Sequence, residues 1–194
     1  MPQEQTRTEF LKQTADLAHL LENTHTETGL PLIHLCRQSS VLLIFLRHSG
    51  CPFCRRALAD LAKALPKLQQ QGILPVLVHM GSQARLQSLL STCGLAGVDR
   101  ISDPERRLYR AFGLKLCSPF AFFSPNVLWQ AFKASVLERH APGRPDGNVT
   151  QLPGAFLIHQ FRIARRVRHR SAAGRTDYLS LSASLPQDTS PSQA

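Results

Sequence analysis

Two cysteines three positions apart, Cys51 and Cys54, enclose Pro52 and Phe53 directly after the apolar run Val41 to Leu46. Thiols at that spacing can ligate a metal or exchange electrons by opening and closing a disulfide. Their setting favours electron exchange. A strand delivers Cys51 to the start of a helix, where unpaired backbone N–H groups and the positive end of the helix dipole favour thiolate over thiol. His48 and Arg47, just upstream, add possible positive charge. A fall in the Cys51 pKa from about 8.5 to about 6.5 would raise its thiolate fraction near neutrality from a few per cent to roughly three quarters. Cys51 is expected to remain exposed, and Cys54, a turn inside the helix, to be more covered. A closed zinc site wants four ligands. His48, Cys51 and Cys54 supply three, while His34, Cys36, Cys93 and Cys117 are distant in sequence, so neither metal nor other cofactor is expected. Those last three cysteines read as small packing residues.

The elements that must position this pair follow from periodicity. Val41 to Arg47 is too apolar for a half-exposed strand and belongs at a sheet centre, covered on both faces. Leu58, Leu61, Leu65 and Leu68 form one face of the following helix, with Arg55, Arg56, Asp60, Lys63 and Lys67 facing elsewhere and Pro66 marking a kink or break. Ile73 to His79 reads as a second buried strand, Ser82 to Cys93 as a helix capped by Gly94, and Val98 to Ile101 as a short strand. Ser102-Asp103-Pro104-Glu105 has the order of a helix opening, with Pro104 in the first turn. Phe156–His159 and Phe161–Arg168 read as adjacent strands joined by a tight turn; in the second, Arg162, Arg166, Arg168 and Arg170 share one face, and Phe161, Ile163 and Val167 the other. Upstream, a helix over Thr8–Glu22 and a strand over Leu32–Cys36 form an extension covering residues 1–40. The main domain then spans 41–185, with a helical, aromatic insertion at about 114–150 holding Phe120, Phe122, Phe123, Trp129 and Phe132. Ser, Pro and Gln dominate residues 186–194, which read as a disordered tail. Strand, helix, strand, helix, strand, insertion, strand pair is the order of an α/β fold: a central mixed sheet flanked by helices.

The formal charge of +10 comes largely from the arginines between 162 and 170, a surface attractive to anionic partners. A charged edge strand that blocks sheet-to-sheet pairing accounts for it more simply. The aromatic stacking platform that nucleic-acid binding would need is missing. No apolar run reaches the roughly 20 residues of a membrane helix, and the first residues lack the order of a secretory signal. The reading is therefore a cytoplasmic protein, where an isolated thiol pair is more often catalytic than structural.

Three segments carry a resemblance. They are Phe45 to Cys54; Ser102-Asp103-Pro104 with Tyr109, Phe112 and Gly113; and Gln151-Leu152-Pro153-Gly154 leading into Ala155 to Ile158. In this order they resemble the thioredoxin superfamily, and within it the peroxiredoxin-like proteins of the AhpC/TSA antioxidant group, including the selenoprotein L-like branch. The resemblance implies a thioredoxin-like fold, Cys51 as attacking thiol, Cys54 as resolving thiol, a redox-active Cys51–Cys54 disulfide, and Pro153 as a cis-proline facing it. His48 stands where peroxiredoxins carry Thr or Ser, Pro153 where they carry Arg, and Phe45 where thioredoxins carry a buried Asp. A dithiol–disulfide chemistry tolerates these departures better than a fast peroxidase does. The expected activity is a thiol oxidoreductase reducing a peroxide or a protein or small-molecule disulfide, regenerated by a thioredoxin or glutathione system, with Cys51, Cys54, Pro153, His48 and Arg47 at its site. The alternative is a non-catalytic adaptor that binds an anionic partner through its basic surface.

Overall fold

In the computed structural model of the chain, the described residues are 15–118, 129, 133 and 145–183. Of the insertion, residues 119–128, 130–132 and 134–144 lie outside them, as do the C-terminal tail and the start of the first helix; Trp129 is exposed. That helix, α1, is described over residues 15–22. It is followed by α2 (Leu32–Gln38), β1 (Ser40–Phe45), α3 (Pro52–Gln70), β2 (Ile73–His79) and α4 (Gln83–Thr92). Then come β3 (Asp99–Ser102), α5 (Arg107–Ala111), β4 (Gly154–His159), β5 (Arg162–Arg168) and α6 (Tyr178–Ser182).

The five strands form one sheet in the order β3-β2-β1-β4-β5. β1 pairs parallel with β2 and antiparallel with β4, so the run that is apolar throughout occupies the centre. One face carries Leu42, Ile44, Leu77 and Leu157 against Leu58, Leu61 and Leu68 of α3 and Leu86 and Leu90 of α4. The other carries Val41, Leu43, Phe45, Val76 and Phe156 against Leu21, Leu32 and Leu35 upstream and Leu108, Tyr109 and Phe112 of the α5 region. Each fully buried leucine contributes about 1.5–3 kcal/mol relative to exposure.

Several expectations change. Residues 32–38 form a helix, not a strand. Leu32, Ile33, Leu35 and Cys36 are buried there while His34 and Arg37 are exposed, a 3.6-residue pattern that strand alternation cannot produce. α3 runs through the exposed Pro66 to Gln70 without breaking. Arg56 is buried, donating to Ala173 O (2.8 Å) and lying over the Phe53 ring. α5 opens at Arg107, past Pro104; the Asp103 carboxylate accepts from the backbone N–H groups of Arg107 and Leu108, both at 2.8 Å, and so caps the helix from four residues upstream. A bulge in the β4–β5 ladder leaves Ala164 unpaired. One extra residue reverses the alternation, so Ile163 shares a face with Arg166 and Arg168, and Arg162 with Arg165 and Val167. The strand is exposed nearly throughout, in keeping with a charged sheet edge. Gly94 follows α4 at φ 71°, the left-handed geometry expected of its cap.

Candidate active site

β1 and β2 share their last rung where Leu46 N–H donates to Val78 O (2.9 Å). The Tyr109 hydroxyl, fully buried, lies within hydrogen-bond distance of both Leu46 O and Val78 O, and fixes the point at which the chain leaves the sheet. From there it turns through residues 47–50, closed by Cys51 N–H to His48 O (3.1 Å). Cys51 is the extended N-cap of α3 and Pro52 its first helical residue, where a missing N–H costs nothing.

This turn folds the two sulfurs around Arg47. Its backbone N–H donates to Cys54 Sγ at 3.3 Å, and its Nη1 reaches Cys51 Sγ at 3.5 Å. Its Nη2 donates to Val149 O, so one buried guanidinium ties the thiols to a segment 102 residues further along. The pair is strongly asymmetric. Cys51 is pulled down to about 6: the Cys54 thiol donates a hydrogen bond to its sulfur, and although burial opposes ionisation, the Arg47 charge and the helix-start N–H groups of Cys54 and Phe53 support the thiolate. Cys54 moves the other way, well above the usual thiol range, because it is that donor, is buried, and faces the Cys51 charge.

Cys51 is not exposed at the helix start; it is 3% accessible, against 4% for Cys54. Residues 145–150, outside the segments that predicted the site, lie against the turn. Asp146 accepts from Ser49 N (2.8 Å), Ser49 Oγ (2.7 Å) and Ser82 N (3.1 Å), pinning this loop to the active-site turn. Gly147 passes so close that a Cβ would stand 2.9 Å from Arg47 O and 2.7 Å from Met80 Cγ. Asn148 Oδ1 accepts from Thr150 N and Oγ1, shaping the turn. The only sequence signal of this clasp is the turn composition of Pro145 to Asn148; nothing local indicates which segment it grips.

His48 is buried beside Arg47, and burial together with the Arg47 charge pushes its imidazole down to about 4, so it is neutral. Pro153 has a trans peptide bond, against the cis form that the resemblance implied. It lines a cavity of about 30 Å³ with Cys54, Phe53, Gly154 and His169. Arg47, His48, Cys51 and Cys54 thus lie together at one helix start, and Pro153 shares a cavity with Cys54. An open groove of about 500 Å³, lined by Ser49, Gly50, Arg55 and Arg85 among others, runs past the turn. Cys36 is buried away from the pair, in the cluster on the opposite face of the sheet, and burial raises it to about 11. Cys93 is half-buried and also raised by burial. Cys117 is half-buried, and its N–H donates to Thr150 O (2.8 Å) beside the clasp. Among the described residues no group of three or more His, Cys, Asp or Glu side chains is arranged to hold a metal ion.

The family model described as "AhpC/TSA antioxidant enzyme" matches residues 60–171. The chain belongs to that family. The matched stretch begins after the Cys51–Cys54 turn and so does not include the thiol pair. Peroxiredoxin-like 2C of Bos taurus is 30% identical over 165 residues, covering 74% of this chain and 70% of that protein. Prostamide/prostaglandin F synthase of Pongo abelii is 30% identical over 149 residues, covering 74% and 71%. Among solved structures, peroxiredoxin Q of Xanthomonas campestris superposes with a TM-score of 0.52 at 16% identity, covering 78% of this chain and 82% of that one. The fold is thus thioredoxin-like, as expected. Among the described residues no helix is long and apolar enough to cross a membrane.

Proposed function

We propose that this AhpC/TSA-family chain is a thiol oxidoreductase that cycles Cys51 and Cys54 between dithiol and disulfide. The observation that supports it best is the division of labour within the pair: a lowered Cys51 that is nucleophilic at neutral pH, and a raised Cys54 that keeps its proton until needed. With a peroxide, Cys51 thiolate attacks one peroxide oxygen; the O–O bond breaks, the alkoxide takes a proton and leaves as alcohol or water, and Cys51 becomes a sulfenic acid. Cys54 then attacks the Cys51 sulfur, forming the disulfide and releasing water. With a disulfide as oxidant, Cys51 forms a mixed disulfide, one thiolate leaves, and Cys54 displaces the second. Arg47 supports the Cys51 anion, His48 packs neutral beside it, and Pro153 walls the cavity next to Cys54. A dithiol system of thioredoxin or glutathione type would restore the reduced form. A reducing compartment such as the cytoplasm suits five free cysteines. The relative named a prostamide/prostaglandin F synthase adds a prostaglandin-type lipid to the substrates worth testing.

Mild oxidation of the purified chain should remove two thiols, a dithiol should restore them, and Cys51→Ser should do neither. In Cys54→Ser, a disulfide substrate should remain linked to Cys51. An unchanged thiol count in the wild type refutes the proposal.

A further inference from the structure

The open groove beside the active-site turn is used by nothing described so far. One of its walls is the turn itself, through Ser49 and Gly50, the residue bonded to Cys51. Arg55 stands one helical turn beyond Cys51: its N–H donates to Cys51 O (3.1 Å), and its Nε lies 3.5 Å from Ser49 O, so the side chain runs back along the turn. The other wall is α4. Arg85, Ser88 and Thr92 recur there at i, i+3 and i+7 and share an exposed face, while Leu86 and Leu90 are buried on the opposite one. The Arg55 charge is felt at Cys93, where α4 ends, so it belongs to the space between the two helices.

The residues lining this groove bring two positive charges and no negative one. Among the described residues neither Arg55 nor Arg85 makes an ion pair, whereas Arg100, Arg107 and Arg175 each do. Asp146, next to Ser49, does not line the groove, and its oxygens are taken by Ser49 and Ser82. Two like charges on one groove repel, and an anion between them relieves that repulsion. The volume of about 500 Å³ falls among those of small-molecule sites, about 300–1,000 Å³, and exceeds what hydrogen peroxide would need.

We propose that this groove receives a small disulfide bearing a carboxylate, which pairs with Arg55 and Arg85 while its sulfur is joined to Cys51. The inference rests on the dithiol reading above and names its substrate class. A disulfide is favoured over a peroxide because half of it stays attached to Cys51 until Cys54 displaces it, and that half needs a place beside the turn. Cys51 is 3% accessible and does not line the groove, so capture at the turn precedes attack. Cys51 thiolate then forms a bond to one substrate sulfur; the substrate S–S bond breaks, and its electron pair leaves with the first thiolate. Cys54 attacks the Cys51 sulfur, and the half held in the groove leaves as the second thiolate, taking up the Cys54 proton. The substrate disulfide is reduced to two thiols and the protein dithiol is oxidised to a disulfide.

The test compares 5,5′-dithiobis(2-nitrobenzoate), which carries two carboxylates, with 4,4′-dithiodipyridine, which is neutral at pH 7. Both react with the protein in a Cys93→Ser, Cys117→Ser background at about 0.15 M salt, where distant charges are screened. The quantity read is the ratio of the two second-order rate constants for the reaction that Cys51→Ser abolishes. A change in Cys51 ionisation acts on both reagents and cancels in this ratio. Arg55→Gln and Arg85→Gln should each lower the ratio about threefold, and together about tenfold. Arg85→Gln, on an exposed helix face, keeps the idea testable if Arg55→Gln does not fold. Arg165→Gln with Arg166→Gln, which removes as much charge from the exposed strand β5, should leave the ratio within about 1.5-fold. An unmoved ratio in the groove variants, or an equal fall in the β5 pair, overturns the site. If the wild type releases no second equivalent of thiopyridone from the neutral reagent, the dithiol reading falls and the proposal with it, so the two failures are distinguishable.

Discussion

Cys54→Ala tests whether the Cys51 thiolate depends on its partner. The Cys54 hydrogen bond is the largest influence holding Cys51 near 6, ahead of the Arg47 charge. A hydrogen bond to a charged acceptor is worth about 1.5–3 kcal/mol, which moves a titration by about one to two pH units. At pH 6 the wild-type Cys51 is about half thiolate; in Cys54→Ala the fraction falls to about 1–10%. Iodoacetamide alkylation of Cys51, followed by peptide mass mapping between pH 4 and 10, should then slow about five- to fiftyfold at pH 6 and converge with the wild type near pH 9. Far-ultraviolet circular dichroism would establish that the variant is folded. A wild-type midpoint near the ordinary thiol value of about 8.5, or an unmoved midpoint in the variant, refutes the account of the pair.

The same ionisation is linked to stability. Cys51 is depressed in the folded state, so its contribution is complete above the unfolded value of about 8.5 and is lost as pH falls through about 6. Urea unfolding of reduced wild type and Cys51→Ser at pH 7 and pH 5 should give a double difference of about 1.3 kcal/mol, the wild type losing more at pH 5. Cys54 adds nothing in that window because it is protonated in both states, and the double difference cancels His48; a value near zero would contradict the linkage. Asp103→Ala removes the carboxylate that caps α5 and should cost about 1–2 kcal/mol in denaturant unfolding, whereas an unchanged midpoint would mean that water replaces the cap.

The parts of the fold legible in the sequence were those with local causes. Val41 to Phe45 can only be central because every residue is apolar, and the leucines of α3 repeat without interruption. Residues 32–38 were misread because a seven-residue helix is too short for its period to stand out beside Ile and Leu, and the buried pairs 32–33 and 35–36 had to be weighed together. The bulge at Ala164 leaves no compositional mark, so the faces of β5 were assigned with the wrong alternation. α6 went unread although Asp177, which accepts from Leu179 N and Ser180 N, is an N-cap of preferred type. At the site, Cys51, Cys54, His48 and Arg47 were visible because they are contiguous. Asp146 and Val149 were not: they reach the turn across 97 and 102 residues.

The asymmetry of the thiol pair also bears on where the protein stands as an electron acceptor. Holding Cys51 at about 6 stabilises the reduced form at pH 7 by about 1.4 kcal/mol relative to an ordinary thiol. For a two-electron couple that raises the midpoint potential by about 30 mV. An arrangement that makes Cys51 a better nucleophile thereby makes a Cys51–Cys54 disulfide easier to reduce. In the proposed cycle, Arg47 and Cys54 would thus ease both halves, and the refilling of the site by a dithiol would rest on the same few contacts as its discharge.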